Sequence, residues 1–165
     1  MSSQESPILS VQVLTAASLA HMIRHDLHEG EAYAGLILGK NGAPDHHLIL
    51  LPDDMDDVTW STARNWATAA GGALPTRREL SLLHANLKEG FMRVWYWSAE
   101  QSEARPQLVW GQNFSSGIQT MYGRQFHGRA RAVRRITSTT DSAGSNSGTS
   151  NISNADGADG AIRHN

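Results

Sequence analysis

A chain of 165 residues without cysteine can form one domain with a core of its own, and it excludes disulfides, thiolate metal sites and cysteine nucleophiles. Its formal charge of -2 gives bulk electrostatics no preference for nucleic acid or an anionic membrane surface as partner. No apolar run approaches the roughly 20 residues of a spanning helix, and MSSQESPILS has neither the basic region nor the long apolar stretch of an export signal. The expectation is a soluble protein, cytoplasmic in the cell that makes it.

In chain order, Ile8, Leu9, Val11, Val13 and Leu14 form a short apolar segment with strand character. Thr15 is placed to cap a helix running from Ala16 to His28, with Leu19, Met22, Ile23 and Leu27 on one face and Gly30 as its stop. Tyr33 to Leu38 and His47 to Leu51 are β-rich runs joined through Asn41-Gly42, a step suited to a tight turn, and read as a hairpin. Asp53, Asp54, Asp56 and Asp57 form an acidic loop before a helix from Trp60 to Ala70, whose buried stripe is Trp60, Ala63, Trp66, Ala67 and Ala70.

Gly71 to Pro75 separate that helix from the next. Thr76 followed by Glu79 three residues on is a capping box, so a helix is predicted over Arg77 to Leu87 with Leu80, Leu83, His84 and Leu87 on one side and Gly90 at its end. Phe91, Trp95, Tyr96 and Trp97 follow, a dense aromatic cluster in a chain with only 7% aromatics, and are read as core. Strands are then expected over Leu108 to Phe114 and Ile118 to Tyr122, about a Ser115-Ser116-Gly117 turn. Arg129 to Ile136 is the last element, with Arg129 and Arg131 on one face and a bulge or strand end near Val133 to Arg135. From Thr137 to Asn165 the chain is Ser, Thr, Asn, Gly, Ala and Asp with few aliphatics, a composition expected to be disordered alone.

The series GGALPTRREL, WYWSAEQ, VWGQNFSSG and RARAVRRI resembles the Lcl C-terminal-like domain family of bacterial collagen-like adhesins and phage proteins, over roughly Tyr33 to Ile136. The resemblance implies an α+β, C-type-lectin-like fold, two main helices packed on twisted antiparallel strands, with binding carried by long loops. Residues 1–32 then form an N-terminal strand and helix extension, 33–136 the domain and 137–165 the tail. The Glu-Pro-Asn calcium and sugar motif of true C-type lectins is missing, so calcium-dependent sugar binding is not carried over. The compact GGALPTRREL variant and the short N-terminal extension point to the phage branch.

Several constellations compete as sites. The four aspartates offer oxygen ligands for calcium but lack the alternate spacing, central Gly and final Glu of an EF-type loop, and a solvated loop is the favoured reading. His21 and His25 share a helix face without the zincin Glu between them, and His84 reads as a hydrogen-bonded core-edge residue. Arg124, Arg129, Arg131, Arg134 and Arg135, interleaved with Tyr122, Phe126 and His127, suit forked contacts to sulfate or phosphate. The competing reading pairs some of them with acids such as Glu79 or Glu100, Arg134 foremost, and leaves Arg129 and Arg131 exposed. Gln112, Asn113, Ser115, Ser116, Gln119, Tyr122 and Gln125 form a polar and aromatic mix suited to recognition.

The candidate binding residues are therefore Arg129, Arg131, Arg124, Tyr122, Gln112, Asn113, Gln119 and Gln125, with no catalytic residue, metal ligand or cofactor assigned. The reading is a non-enzymatic binding module, phage- or prophage-encoded, whose loops Glu100 to Gln107 and Gly111 to His127 meet a protein or anionic glycan. A homo-oligomer is compatible with it. The alternatives are a tail or baseplate accessory of a virion, or an intracellular inhibitor or regulator of a host protein. An enzyme of the formylglycine-generating group is disfavoured because that chemistry uses cysteines or histidine-bound iron, and neither set is present.

Overall fold

A computed structural model describes residues 15–137, and the strand expected over Ile8 to Leu14 and nearly all of the tail lie outside them. The domain is α+β, with helices α1 (Ala16–His25), α2 (Trp60–Ala69) and α3 (Arg77–Leu87), and strands β1 (Ala32–Ile37), β2 (His46–Leu50), β3 (Met55–Val58), β4 (Trp95–Gln101), β5 (Leu108–Asn113), β6 (Gln119–Gly123), β7 (Gly128–Ala130) and β8 (Val133–Thr137). Three strands form one sheet in the order β1-β2-β8, and five form a second in the order β3-β7-β4-β5-β6. Among the described residues no helix is long and apolar enough to cross a membrane.

β1 and β2 form the expected hairpin. Asn41 and Gly42 both take left-handed φ (53° and 83°), the pairing a type I′ turn requires. β8 lies antiparallel on the far side of β2, so the last described strand returns to the first hairpin. This makes β2 central and explains its unbroken apolar run. Leu48 and Leu50 join Leu80 and Leu83 of α3 in one core, while Ile49 on the opposite face is equally buried.

β4 is the central strand of the second sheet and is likewise buried on both faces. Trp95 and Trp97 pack with Val58, Trp60, Ala63 and Ala67, whereas Tyr96 between them packs with Leu80, Phe91 and Phe114. The indole N–H of Trp97 donates to the Val58 carbonyl and that of Trp60 to the Ser98 carbonyl, each at 2.9 Å, so both large rings are buried with their polar edges satisfied. The ring of Trp95 needs room above β5 that only glycine leaves. A methyl group at position 111 would overlap both that ring and the Tyr96 carbonyl. Gly111→Ala should therefore destabilise the domain by about 1–3 kcal/mol through overpacking, and chemical denaturation of the pair of proteins measures it.

Five local expectations change. α1 ends at His25 with Asp26 as its cap, and Gly30, at φ 78°, belongs to the following turn, in which Glu31 N–H donates to the His28 carbonyl. Of its expected apolar face Ile23 is buried, while Met22 points outward. Ala70, expected in the α2 stripe, is exposed just past the helix end. The acidic segment is not simply a loop, because Met55–Val58 pairs with β7 as strand β3. The break in the last arginine-rich stretch falls at Arg131-Ala132 rather than Val133 to Arg135. It falls there because β7 belongs to one sheet and β8 to the other, and the chain crosses between them at those two residues.

α3 begins as its capping box requires. The Thr76 hydroxyl accepts from Glu79 N–H, and the Glu79 carboxylate accepts from Thr76 N–H at 2.7 Å. The same carboxylate is fully buried and receives a forked pair from Arg135 of β8 at 2.6 and 2.7 Å, and an imidazole nitrogen of His46 of β2 at 2.7 Å. A residue chosen by local helix chemistry thus also ties α3 to β2 and β8 of the hairpin sheet.

Candidate functional site

Of the arginines on which anion binding was expected, Arg129, Arg131, Arg134 and Arg135 are engaged within the fold and Arg124 is exposed. Arg129 on β7 is held by Asp54 through Nε (3.1 Å) and a terminal nitrogen (2.9 Å), and by Asp56 at 2.8 Å. Burial opposes its charge, but Asp54 and Asp56 more than compensate and raise its pKa. Arg131 lies in the crossover, where it donates to the Gly90 carbonyl at 2.7 Å and the Leu51 carbonyl at 3.0 Å and covers the Phe91 ring at 5.1 Å. Burial lowers its pKa. The expected exposure of Arg129 and Arg131 is thereby corrected: both lie in a sheet junction whose carbonyls and acids they satisfy. Arg134 is structural as expected, forked onto Glu31 with both bonds at 2.7 Å. Those bonds hold Glu31, against the cost of burial, down to a pKa of about 2.

The polar candidates divide in the same way. Gln112 is buried under α3 and receives the Gln119 amide at 2.9 Å, while that amide also donates to the Arg77 carbonyl at 2.8 Å. Arg77 in turn donates from Nε to Gln119 and lies over the Trp110 ring at 3.6 Å. Gln112 and Gln119 thus dock β5 and β6 onto α3. Asn113 spends its side-chain oxygen on the N–H groups of Ser115 and Ser116, an Asx turn that shapes the β5–β6 hairpin. Glu100 accepts from Arg77 N–H at the start of α3. Arg124 and Gln125 are exposed at the next turn, with the Arg124 guanidinium 5.8 Å from the Trp60 ring.

Tyr122 is where the expectation and the surface meet. The turn closed by Phe126 N–H to the Gly123 carbonyl at 2.8 Å folds Phe126 back beside it. The two rings stack at 4.3 Å with 15° between their planes, and both meet Trp95 nearly at right angles, at 5.0 and 5.6 Å. Tyr122 and Phe126 remain 41% and 40% exposed, and Val94 beside Trp95 is 42% exposed. Val94, Trp95 and Phe126 line a cleft of about 320 Å³ together with Asp56, Asp57, His127 and Arg129. A larger hollow of about 450 Å³ lies among His84, Lys88, Arg93 and Ser115, but its floor rings Phe91 and Phe114 are buried. His84 meets Phe114 edge-on there at the edge of the core, but without the side-chain hydrogen bond expected of it among the described residues.

The cleft rests on a β-bulge. Met55 pairs with Ala130 and Val58 with Gly128, so Asp56 and Asp57 together stand opposite the single residue Arg129. Asp57 takes the left-handed φ of 52° that aspartate tolerates better than most residues. Its carboxylate reaches His127 Nδ1 at 3.1 Å. The aspartates are thus engaged with Arg129 and His127, and among the described residues no group of three or more His, Asp or Glu side chains is placed to hold a metal ion. Phe126, Val94, Asp54, Asp56 and Asp57 were not among the expected binding residues. Tyr122 and Phe126 four apart around a glycine was the signal available for the ring pair. Nothing local announces that Asp54 and Asp56 reach Arg129.

No family model matches the chain, and no curated protein matches it. What the geometry defines is the class: an α+β domain of two sheets whose exposed aromatic pair borders an acidic cleft.

Proposed function

We propose that the protein is a non-enzymatic binding module of C-type-lectin-like architecture, phage- or prophage-encoded, that engages a protein or glycan through the face built by Tyr122, Phe126 and Val94. The observation that carries this reading is the stacked Tyr122–Phe126 pair held partly open to solvent above the buried Trp95. Large rings that are both rigid and exposed supply contact area at little conformational cost. The two helices packed on mainly antiparallel strands and the motif series GGALPTRREL to RARAVRRI support the lectin-like and phage assignments. The buried carboxylates Glu31 and Glu79 are each committed to an arginine that joins elements, which favours a structural over a catalytic use for them. A virion accessory and an intracellular regulator would use the same face against different partners.

The test is a Tyr122→Ala, Phe126→Ala double variant, compared with the unaltered full chain for partners copurified from the producing cell and for retention on a glycan array. The variant should keep its circular dichroism and lose binding by about tenfold or more, as truncation of aromatic anchors does. Undiminished capture of every partner and glycan would refute this face.

A further inference from the structure

Granting that this aromatic face is the contact surface, we propose that the adjoining cleft takes one basic side chain, lysine or arginine, presented by a protein partner. The argument begins with the bulge: β3 delivers two aspartates opposite one arginine. Arg129 is shared between Asp54 and Asp56, which leaves Asp57 on the outer lip, 83% exposed and facing only the His127 imidazole among the described ionisable side chains within ion-pair distance. Asp56 and Asp57 thus line the cleft with the single guanidinium of Arg129 and the His127 imidazole, while Asp54 holds that guanidinium from outside the lining. An entering anion meets carboxylates that outnumber the guanidinium, and an entering cation offsets them.

The apolar part of the lining fits the rest of such a side chain. Val94, Trp95 and Phe126 offer an apolar surface for a (CH₂)₃ or (CH₂)₄ stem, and the aromatic rings attract a cationic head as well as an aliphatic body. A hollow of about 320 Å³ sits at the small end of ligand sites, matching one side chain better than several linked sugars. A neutral sugar would use the ring and leave the carboxylates unanswered. Charge complementarity therefore selects a basic residue, and the exposed Tyr122–Phe126 pair beside the cleft gives the rest of the partner's surface its apolar contact.

The experiment is an NMR titration of the ¹⁵N-labelled full chain, read at the Trp95 indole N–H and at Phe126. The probes are Nα-acetyl-arginine methylamide, Nα-acetyl-lysine methylamide, the neutral Nα-acetyl-norleucine methylamide and N-acetylglucosamine. The two cationic probes should give saturable shifts that weaken with added salt, and the two neutral ones should give none at the same concentrations. Asp57→Asn keeps a residue that tolerates the left-handed backbone and leaves the Arg129 pairs intact, so it should weaken the cationic probes by about fivefold without lowering thermal stability. Equal shifts from norleucine or N-acetylglucosamine, no shift from either cationic probe up to its solubility limit, or an Asp57→Asn protein that binds as before would each overturn the proposal. If a copurified partner is lost on Tyr122→Ala, Phe126→Ala but retained on Asp57→Asn, the binding face stands and the basic-residue cleft falls. If neither variant loses the partner, the face itself is refuted.

Discussion

Replacing Trp97 by alanine should cost the domain about 3–5 kcal/mol, the largest loss expected from any single aromatic truncation here. Trp97 is completely buried on the central strand β4, between α2 and the sheet. Its removal deletes the ring that meets Trp95 edge-on at 4.5 Å and leaves the Val58 carbonyl without the indole N–H that it accepts at 2.9 Å. Trp97→Phe keeps a buried aromatic ring but loses the N–H edge and part of the indole volume, so an intermediate cost of about 1–3 kcal/mol is expected. Urea denaturation of the three proteins checks both figures. A loss under about 1 kcal/mol for Trp97→Ala would mean that the aromatic layer is not the core. Because Trp95 meets Trp97 edge-on and lines the cleft, Trp97→Ala should also blunt any response at the Tyr122–Phe126 face.

The second large effect belongs to Glu79. Burial by itself raises its pKa, but the bonds from Arg135, Thr76 N–H and His46 outweigh burial and hold it below the ordinary value of 4.5. Glu79→Ala leaves Arg135 without its carboxylate and Thr76 N–H without an acceptor. Arg135 stays one-third exposed and can rehydrate, so the cost should sit at the lower end of the range for broken buried pairs, about 3 kcal/mol. The sign of the pH effect follows from the direction of the shift. The folded state holds its proton less tightly than the unfolded chain, so the stabilisation is complete above the unfolded value near 4.5 and is lost as pH falls through the lower folded value. Glu31, at about 2 in the fold, adds a second contribution lost between 4.5 and 2. Denaturant midpoints measured from pH 6 to pH 2 should fall steadily below about pH 4.5, and less steeply in Glu79→Gln, where only the Glu31 contribution of the two remains. An unchanged pH profile in that variant would show that another group carries the acid sensitivity.

How much of this could be read beforehand differs from element to element. α3 over Arg77–Leu87, with its capping box, follows from residues within one helical turn of each other, and it forms as expected. The Asn41-Gly42 turn, the inward rings of WYW and the Ser115-Ser116-Gly117 turn are local in the same sense, whereas the part Asn113 plays in shaping that turn was not read. The acidic segment was misjudged because half of strand β3 is exposed aspartate, and its pairing with β7 is supplied by a strand far along the chain. Arg129 and Arg131 were expected at the surface because alternation places two arginines on one face and says nothing of what covers that face.

The amino-acid sequence by itself determined where helices and turns begin, which rings are core, and that arginines cluster near the end of the domain, since each depends on neighbours a few residues apart. Only the tertiary structure decided what those arginines do. Arg134 meets Glu31 across 103 positions, Arg129 meets Asp54 across 75, and Arg135 meets Glu79 across 56. A charge is spent or left over only once the chain has brought its counter-ion to within hydrogen-bonding distance. That pairing engages Arg129, Arg134 and Arg135 within the fold and leaves the Tyr122–Phe126 rings beside Asp56 and Asp57.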